Sequence, residues 1–205
     1  MELVMNTLRT FVLGGVVLAA PILLPAQQFT GSHKLGTLPA PVVLDNTGLF
    51  QAKFARVGDD MFLAGQPTEN GLRELRDRGV KVVVNLRTPE EMKAIPFDEA
   101  ALVSALGMKY VYLPVRGDDR YPYSPETVAR FADAVRDADG KVLLHCTVAW
   151  RASHLWAAYL IKVRGVGVDS ALANARAINL MDDHHMSGAM PLEDFLGGKL
   201  SGFKR

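Results

Sequence analysis

The sequence has few of the features that commonly identify a protein class. It contains one cysteine among 205 residues, so no disulfide can form within the chain, and its His and Cys residues do not have the spacing of a zinc site. Its formal net charge of +1 gives no overall reason to expect binding to nucleic acid. It has no internal repeats and no low-complexity runs. We therefore expect no metal, no cofactor and no nucleic-acid partner.

An apolar run long enough to span a bilayer is also missing. The apolar region 11–24 is shorter than the about 20 residues that a transmembrane helix needs, and Pro21 interrupts it. Arg9 precedes this region and polar residues follow Ala26, which is typical of an export signal. We predict a signal peptide over residues 1–26 with cleavage after Ala26, and a periplasmic or secreted protein without stable membrane insertion. A retained anchor is the alternative.

The composition, 49% hydrophobic and 22% charged, is that of an ordinary globular protein. We assign residues 27–49 to a linker, residues 50–182 to one domain and residues 183–205 to a C-terminal tail. Strand and helix patterns alternate within the domain, which indicates an α/β fold with a largely parallel central sheet flanked by helices. The predicted strands cover 54–57, 61–64, 80–86, 109–113 and 141–145, and the predicted helices cover 68–78, 98–106, 124–138, 151–163 and 169–180, with a capping signature at 88–91.

The most informative stretch is residues 145–153, HCTVAWRAS, where an apolar strand gives way to a helical pattern. Amides at a helix N-terminus and the helix dipole together favour the thiolate form of Cys146. Arg151 would present a planar fork of donors to an oxyanion at the same place. We interpret Cys146 as a nucleophile and Arg151 as an anion clamp; the alternative is a buried core cysteine beside a solvated arginine. The loop residues that would hold the substrate are Thr147, Val148, Ala149 and Trp150.

This stretch resembles the active-site loop of the cysteine-dependent phosphatases of the dual-specificity type, in which His-Cys, a short loop and Arg follow one another. The usual loop has five residues between Cys and Arg, whereas this chain has four, and Ala149 replaces the glycine common in the loop. The four-residue spacing is similar to a bacterial branch of beta-lactamase hydrolase-like or protein tyrosine phosphatase family proteins, some of which are described as sulfur transferases. That branch also has features resembling AGQP at 64–67, VVNLR at 83–87 and LWAAY at 155–159.

The resemblance implies a cysteine-phosphatase architecture over about residues 54–164 and a general acid in a loop after a strand. Asp118 and Asp119 lie in such a loop, and a general acid there would protonate the leaving oxygen. We prefer Asp118, and solvated turn chemistry is the alternative. His145 would support Cys146 through hydrogen bonding, with its ring pointing away from the loop. Ser153 would donate to the sulfur, although the phosphatase pattern has its hydroxyl directly after the arginine.

Other polar residues have simpler interpretations. Arg87, at a strand end, would be a second anion clamp for the substrate, but we expect a salt bridge from it to Glu90 or Glu91. Residues 66–67 are typical of a turn. Residues 182–185, DDHH, are typical of a solvated tail rather than of a metal site, because adjacent histidines point apart on a helix or a strand.

Three hypotheses for function follow. The first is hydrolysis of a phosphomonoester, of the protein tyrosine or dual-specificity type, through a phosphocysteine intermediate on Cys146. The second is a sulfurtransferase, in which the same thiolate accepts sulfane sulfur and carries it as a persulfide. The third is a non-catalytic module that binds an oxyanion in the loop. We prefer the phosphatase, acting without a metal on a phosphorylated substrate.

Overall fold

A mixed sheet forms the centre of the computed structural model, which describes residues 38–181 and 191–200. The strands lie in the order β1-β2-β3-β6-β4-β5. Neighbours among β1, β2 and β3 pair antiparallel, whereas β3, β6, β4 and β5 run parallel. The predicted α/β fold with a largely parallel sheet is therefore confirmed. In chain order the strands are β1 (Val42–Val43), β2 (Phe54–Val57), β3 (Met61–Ala64), β4 (Val80–Asn85), β5 (Lys109–Tyr112) and β6 (Lys141–His145).

The helices begin where the sequence provides capping side chains. Thr68, Thr88, Asp98 and Ser124 each accept a hydrogen bond from an amide of the first turn that follows, which satisfies a donor that the helix itself leaves unpaired. Thr88 also forms a reciprocal capping box with Glu91. In the described residues the helices are α1 (Glu69–Asp77), α2 (Pro89–Met92), α3 (Glu99–Ala105), α4 (Pro125–Arg136), α5 (Trp150–Lys162), α6 (Val168–Arg176) and α7 (Pro191–Leu196).

Two hydrophobic cores lie on opposite faces of the sheet, because successive side chains of a strand point to opposite faces. Val82 and Val84 of β4 pack in the larger core together with residues of α4, α5, α6 and α7. Val83 packs in the smaller core with residues of α1 and α3. The helices therefore cover both faces, and the carboxyl ends of the four parallel strands meet at one edge, where ligands of such sheets bind.

The region after α5 differs from the prediction. The predicted helix 169–180 ends early, because α6 stops at Arg176 and the chain then turns so that the side chain of Asn179 reaches the carbonyl of Val148. A helix that the sequence analysis did not assign, α7, follows in the C-terminal part. Its Leu192 and Phe195 are fully buried in the larger core, and their spacing of three residues is the helical signal that was missed.

Some predictions lie partly or wholly outside the described residues. The signal peptide over 1–26 and the DDHH segment at 182–185 are outside. The predicted linker 27–49 falls partly inside, where β1 pairs with β2 through Val42 opposite Arg56. In the part of the chain that the structure describes, no helix has the length and apolar character needed to cross a membrane.

Candidate active site

Cys146 lies at the edge where the parallel strands end. It follows β6 directly, and β6 runs between β3 and β4. His145, the last residue of β6, is in register with Ala64 of β3 and Asn85 of β4. The side chain of Cys146 is fully buried. Burial by itself agrees with either interpretation of this cysteine, so the groups around it decide what it can do.

The loop after Cys146 has its carbonyls hydrogen bonded and its amides unpaired. Within the described residues, the backbone N–H groups of residues 147–152 donate to no other group. Unpaired amides in the loop and first turn of a helix form an anion-binding site. Three successive carbonyls, in contrast, accept bonds that hold the loop: Gln66 N donates to Thr147 O at 2.9 Å, Asn179 Nδ2 to Val148 O at 2.6 Å and Ser153 Oγ to Ala149 O at 2.8 Å.

Two small residues allow this loop conformation. Ala149, immediately before α5, has φ 69° and ψ −2°, a left-handed conformation that costs a residue with a Cβ roughly 1–2 kcal/mol. Glycine adopts this conformation without that cost, which explains why the resembled loops commonly have glycine. Gly65 lies on the other side of the loop and pairs with Val148. A Cβ at Gly65 would lie 1.7 Å from the carbonyl oxygen of Gln51 and 2.9 Å from that of Thr147, so glycine lets the chain after β3 pass between residue 51 and the loop.

Arg151 lies in the first turn of α5 and is nearly buried, with 5% of its surface exposed. Its Nη1 donates to the carbonyls of Val115 at 2.7 Å and Leu86 at 3.3 Å. Nη1 and Nη2 also donate to the two carboxylate oxygens of Glu91, at 2.9 and 2.6 Å. Burial alone would lower the pKa of Arg151, but the hydrogen bonds to Glu91 together with the charges of Cys146 and Glu91 raise that pKa. The alternative of a solvated arginine is therefore wrong.

Glu91 of α2 was missed as a site residue. Besides Arg151, Thr147 Oγ1 donates to its carboxylate at 2.9 Å and Thr88 N donates at 2.8 Å. Burial acts to raise the pKa of Glu91, but the bonds from Arg151 and Thr88 hold it at about 2. The sequence analysis considered this glutamate only as a capping residue and as a salt-bridge partner for Arg87. The missed signal was its place in the first turn of a helix that starts at the carboxyl edge of the sheet.

Arg87 follows β4 and is buried, but it does not form the predicted salt bridge. Its Nη1 donates to Gln66 Oε1, and its Nη2 donates to the backbone carbonyl of Glu91 at 2.7 Å. The prediction of a bridge to the carboxylate of Glu90 or Glu91 is wrong, because Arg151 takes the carboxylate of Glu91. Arg87 Nε has no hydrogen-bond partner within the described residues.

A second carboxylate, Glu99 of α3, lies behind His145. Nε2 of His145 is 3.0 Å from Glu99 Oε1, and Glu99 also accepts from Asn85 Nδ2 at 2.9 Å and from Gln66 Nε2. Burial acts to raise the pKa of Glu99, but the charge and hydrogen bond of His145 outweigh it and lower that pKa. The ring of His145 therefore faces α3, on the opposite side of the sheet from α5, as predicted. Glu99 and Gln66 were not identified as site residues.

The loop between β5 and α4 holds both candidate acids. Asp118 Oδ1 accepts from the amides of Arg120 at 3.1 Å and Tyr121 at 2.8 Å, which is the turn arrangement named above as the alternative. Its side chain is half exposed, and Asp119 beside it is exposed. The structure thus places Asp118 in a turn with a carboxylate that solvent can reach.

Tyr123, near the end of the same loop, was also missed. Its hydroxyl is buried and has no hydrogen-bond partner among the residues that the structure describes. Burial raises the pKa of Tyr123 to about 12; nearby Arg151 acts to lower it, and Cys146 and Glu91 act to raise it. The phenol is therefore protonated at neutral pH and lies close enough to the loop to feel its charges.

Trp150 and Ser153 occupy positions next to the loop. Trp150 Nε1 donates to the carbonyl of Met181 at 3.3 Å, and its ring lies 4.5 Å from the ring of His154 at a tilted angle. Ser153 Oγ donates to the carbonyl of Ala149 rather than to the sulfur. The serine therefore supports the loop backbone.

Comparison with known proteins gives matches along most of the described domain. Residues 52–189 match the family described as "DSP-PTPase phosphatase fused to NAD+ Kinase". The beta-lactamase hydrolase-like protein of Agrobacterium fabrum (strain C58) is 28% identical over 106 residues, which is 51% of this chain and 24% of that protein. The protein of the same name from Xylella fastidiosa (strain Temecula1) is 27% identical over 107 residues, again 51% and 24%. The matched region is thus about a quarter of the length of these curated relatives.

Solved structures give a similar result. The DUF442 protein of Shewanella putrefaciens CN-32 is 30% identical, with a TM-score of 0.50 and coverage of 63% of this chain and 80% of that chain. TpbA of P. aeruginosa, in complex with phosphotyrosine, is 20% identical, with a TM-score of 0.54 and coverage of 77% and 94%. At this identity the second likeness shows the fold alone.

Proposed function

The chain belongs to the family described as DSP-PTPase phosphatase fused to NAD+ kinase, whose match covers more than half of its length, and from this we propose that it is a cysteine-dependent phosphatase acting on a phosphomonoester. The resemblance to beta-lactamase hydrolase-like and protein tyrosine phosphatase proteins is confirmed. A phosphatase-like fold is thereby established. The phosphocysteine mechanism, the site residues and the export of the protein are parts of the proposal.

The observation that carries the proposal is the loop after Cys146, with its unpaired amides at the start of α5. Donors of this kind stabilise the charge on the oxygens of a transferring phosphoryl group, because they are already oriented when that charge develops. Arg151 adds a cation. Its Nη atoms bond to Glu91 and to backbone carbonyls, and its Nε, which has no partner in the described residues, is the donor left for an oxyanion.

The proposed reaction has two displacement steps at phosphorus. The Cys146 thiolate forms an S–P bond while the bond from phosphorus to the leaving oxygen breaks, and that oxygen takes a proton from Asp118. Water then attacks phosphorus and gives its proton to the Asp118 carboxylate. The S–P bond breaks, which releases inorganic phosphate and restores the thiolate. Thr147, Val148, Ala149 and Trp150 contribute their amides to the substrate oxygens, and Arg87 is a more distant cation behind Glu91.

An aryl phosphate in the presence of a chelator tests the reaction. We expect hydrolysis by the purified protein, loss of hydrolysis in Cys146→Ser, and a loss of at least about a hundredfold in Arg151→Lys, because an ammonium does not reproduce the planar fork. Arg136→Lys is the matched control, since Arg136 is an exposed arginine on α4, and it should keep full activity. Hydrolysis that survives Cys146→Ser would contradict the proposal.

The two aspartates of the β5–α4 loop provide a matched pair for the general acid. Asp118→Asn should reduce the hydrolysis rate by about a hundredfold, whereas Asp119→Asn should change it little. The loss should be largest for substrates with poor leaving groups, because these need protonation most. Equal effects of the two variants on all substrates would remove Asp118 from the mechanism.

The other two hypotheses have separate readouts. A sulfurtransferase incubated with thiosulfate or a persulfide donor would gain one sulfur atom on Cys146, which intact mass spectrometry detects. A non-catalytic module would be stabilised by phosphate without turning over any phosphoester or sulfur donor. An unmodified mass together with aryl phosphate turnover decides in favour of the phosphatase.

Export is a separate part of the proposal and rests on the sequence of residues 1–26. Expression of the full chain in a Gram-negative host should give a periplasmic protein whose first residue is Gln27, as read by N-terminal sequencing. A cytoplasmic protein that retains Met1 would contradict it.

A further inference from the structure

The residues behind the nucleophile form a continuous buried network, of which the proposed reaction uses only Arg87. Gln66 Nε2 and Asn85 Nδ2 donate to the carboxylate of Glu99, which also faces Nε2 of His145. Arg87 joins the network through Gln66, because its Nη1 donates to Gln66 Oε1. All five side chains are buried. They come from the ends of β3, β4 and β6 and from the start of α3, so one carboxylate connects three of the parallel strands.

The carboxylate of Glu99 carries the charge in this network. Its oxygens face side-chain N–H donors and the hydroxyl of Tyr110, and hydrogen bonds to the charged form favour that form. A buried carboxylate without a compensating cation would be very costly. Nε2 of His145 lies 3.0 Å away, whereas Arg87 reaches the carboxylate through the amide of Gln66. The ring of His145 thus contacts Glu99 directly, and Nε2 is the ring nitrogen that can donate to this carboxylate.

The position of His145 connects this network to the reaction. His145 is the residue immediately before Cys146, and its Nδ1 has no partner within the described residues. A proton on Nε2 pairs the ring with the carboxylate of Glu99, and the backbone at the end of β6 joins the same residue to the nucleophile. Glu99 of α3 is the charged group that faces the ring. Arg87 joins the network through Gln66, and Tyr110 of β5 bonds to Glu99.

We propose that Glu99 is a positioning residue for Cys146: its carboxylate holds a proton on Nε2 of His145 and thereby sets the electrostatic environment of the nucleophile. This assigns a role to α3, which supplies no group to the loop. The catalytic meaning of the inference rests on the proposed function, but the reactivity of the thiol does not. Alkylation of Cys146 by iodoacetamide, followed by intact mass spectrometry, measures that reactivity without any turnover.

Glu99→Gln tests the proposal because it keeps the shape and removes the charge. We expect the alkylation rate at neutral pH to change about fivefold, the size of a coupling between neighbouring groups, and the pH profile of the rate to shift. Glu69→Gln is the matched control: both glutamates are the first residue of a helix, so both lose the same helix-dipole contribution, but Glu69 is exposed. Its alkylation profile should equal that of the unmodified protein.

A double variant shows whether Glu99 acts through the histidine. In a His145→Asn background, Glu99→Gln should change the alkylation rate by less than about twofold. A folded Glu99→Gln protein with an unchanged alkylation profile overturns the proposal, and so does an undiminished effect in the His145→Asn background. Thermal unfolding of each variant establishes that it is folded.

If Glu99→Gln fails to fold, nitrogen-15 NMR of the unmodified protein decides. The ring of His145, assigned by comparison with His145→Asn or by sequential connectivity, should carry a slowly exchanging proton on Nε2. A ring with a bare Nε2 overturns the proposal. If the protein alkylates as expected but hydrolyses no phosphoester, the inference holds and the proposed function fails.

Discussion

Two carboxylates flank the nucleophile, and they differ in exposure. Glu91, in front of the loop, holds Arg151 and Thr147, and about a quarter of its side chain is exposed. Glu99, behind His145, is completely buried. Solvent or a ligand can compete for the partners of Glu91, whereas the partners of Glu99 have no alternative. The contact between Glu91 and Arg151 is therefore exchangeable and that between Glu99 and His145 is fixed, although both pair a glutamate with a nitrogen-bearing side chain.

The largest predicted effect is the loss of stability when one of the two carboxylates is removed. Glu99→Ala should lower the free energy of unfolding by about 3 kcal/mol, because it leaves His145 and two buried amides without their acceptor. Glu91→Ala should cost about 1 kcal/mol, since Arg151 keeps two backbone carbonyls and solvent screens the site. Urea unfolding at neutral pH measures both. Equal losses would show that burial does not separate the two contacts.

Phosphate binding tests the side of the nucleophile on which Glu91, Arg151 and the loop lie. If an oxyanion takes the donors of the loop and of Arg151, phosphate at a hundredfold excess over its dissociation constant should stabilise the fold by about 2.7 kcal/mol. Arg151→Lys should weaken this binding, whereas Glu99→Gln should leave it nearly unchanged. Thermal unfolding with increasing phosphate is the measurement. An unfolding temperature independent of phosphate would contradict an anion site in the loop.

Acid should weaken the contact between Glu91 and Arg151 in a defined pH range. The pKa of Glu91 is depressed from 4.5 to about 2 in the folded protein, so its contribution to stability is present above pH 4.5 and is lost as the pH falls through 2. We expect about 1–2 kcal/mol after allowing for partial exposure. In Glu91→Gln this part of the pH dependence should disappear. An unchanged slope of stability against pH in that variant would contradict the assignment.

A substitution in the loop after Cys146 should have the smallest effect on stability. Ala149→Gly should raise the free energy of unfolding by about 0.5–1 kcal/mol, because the strain of the left-handed alanine exceeds the entropy that glycine adds to the unfolded chain. Ala152→Gly is the matched control, since Ala152 lies inside the first turn of α5, and it should lower stability by about 1 kcal/mol. Urea unfolding compares them. Destabilisation by both would mean that Ala149 is not strained.

The fold followed from local sequence patterns. The buried valines of β4, the capping side chains Thr68 and Thr88, and the strand that ends at His145 each act over a few residues, so a single sequence reveals them. The short helix α7 was missed because its buried residues, Leu192 and Phe195, are few, and only the larger core explains why they form a helix there. Weak local signals of this kind need their tertiary partners.

The site followed from the sequence in part. Cys146, Arg151 and the loop lie on one continuous segment, and their chemistry was readable from the order of residues. The pairing of Arg151 with Glu91 joins residues that are 60 positions apart, and that of His145 with Glu99 spans 46. Each of these glutamates looked like an ordinary first-turn residue, because a helix N-terminus favours acidic side chains for its own reasons. Only the topology of the sheet brings them to the nucleophile.

The two tryptophans of the chain give this site an optical signal. Trp150 belongs to the turn that begins α5 and donates its indole proton to Met181, whereas Trp156 lies in the larger core and bonds to Asn174. In a Trp156→Phe protein, all tryptophan emission would come from the loop. Its intensity and wavelength would then follow occupation of the anion site in real time. The rates of anion binding could therefore be compared between variants of Glu91 and Glu99.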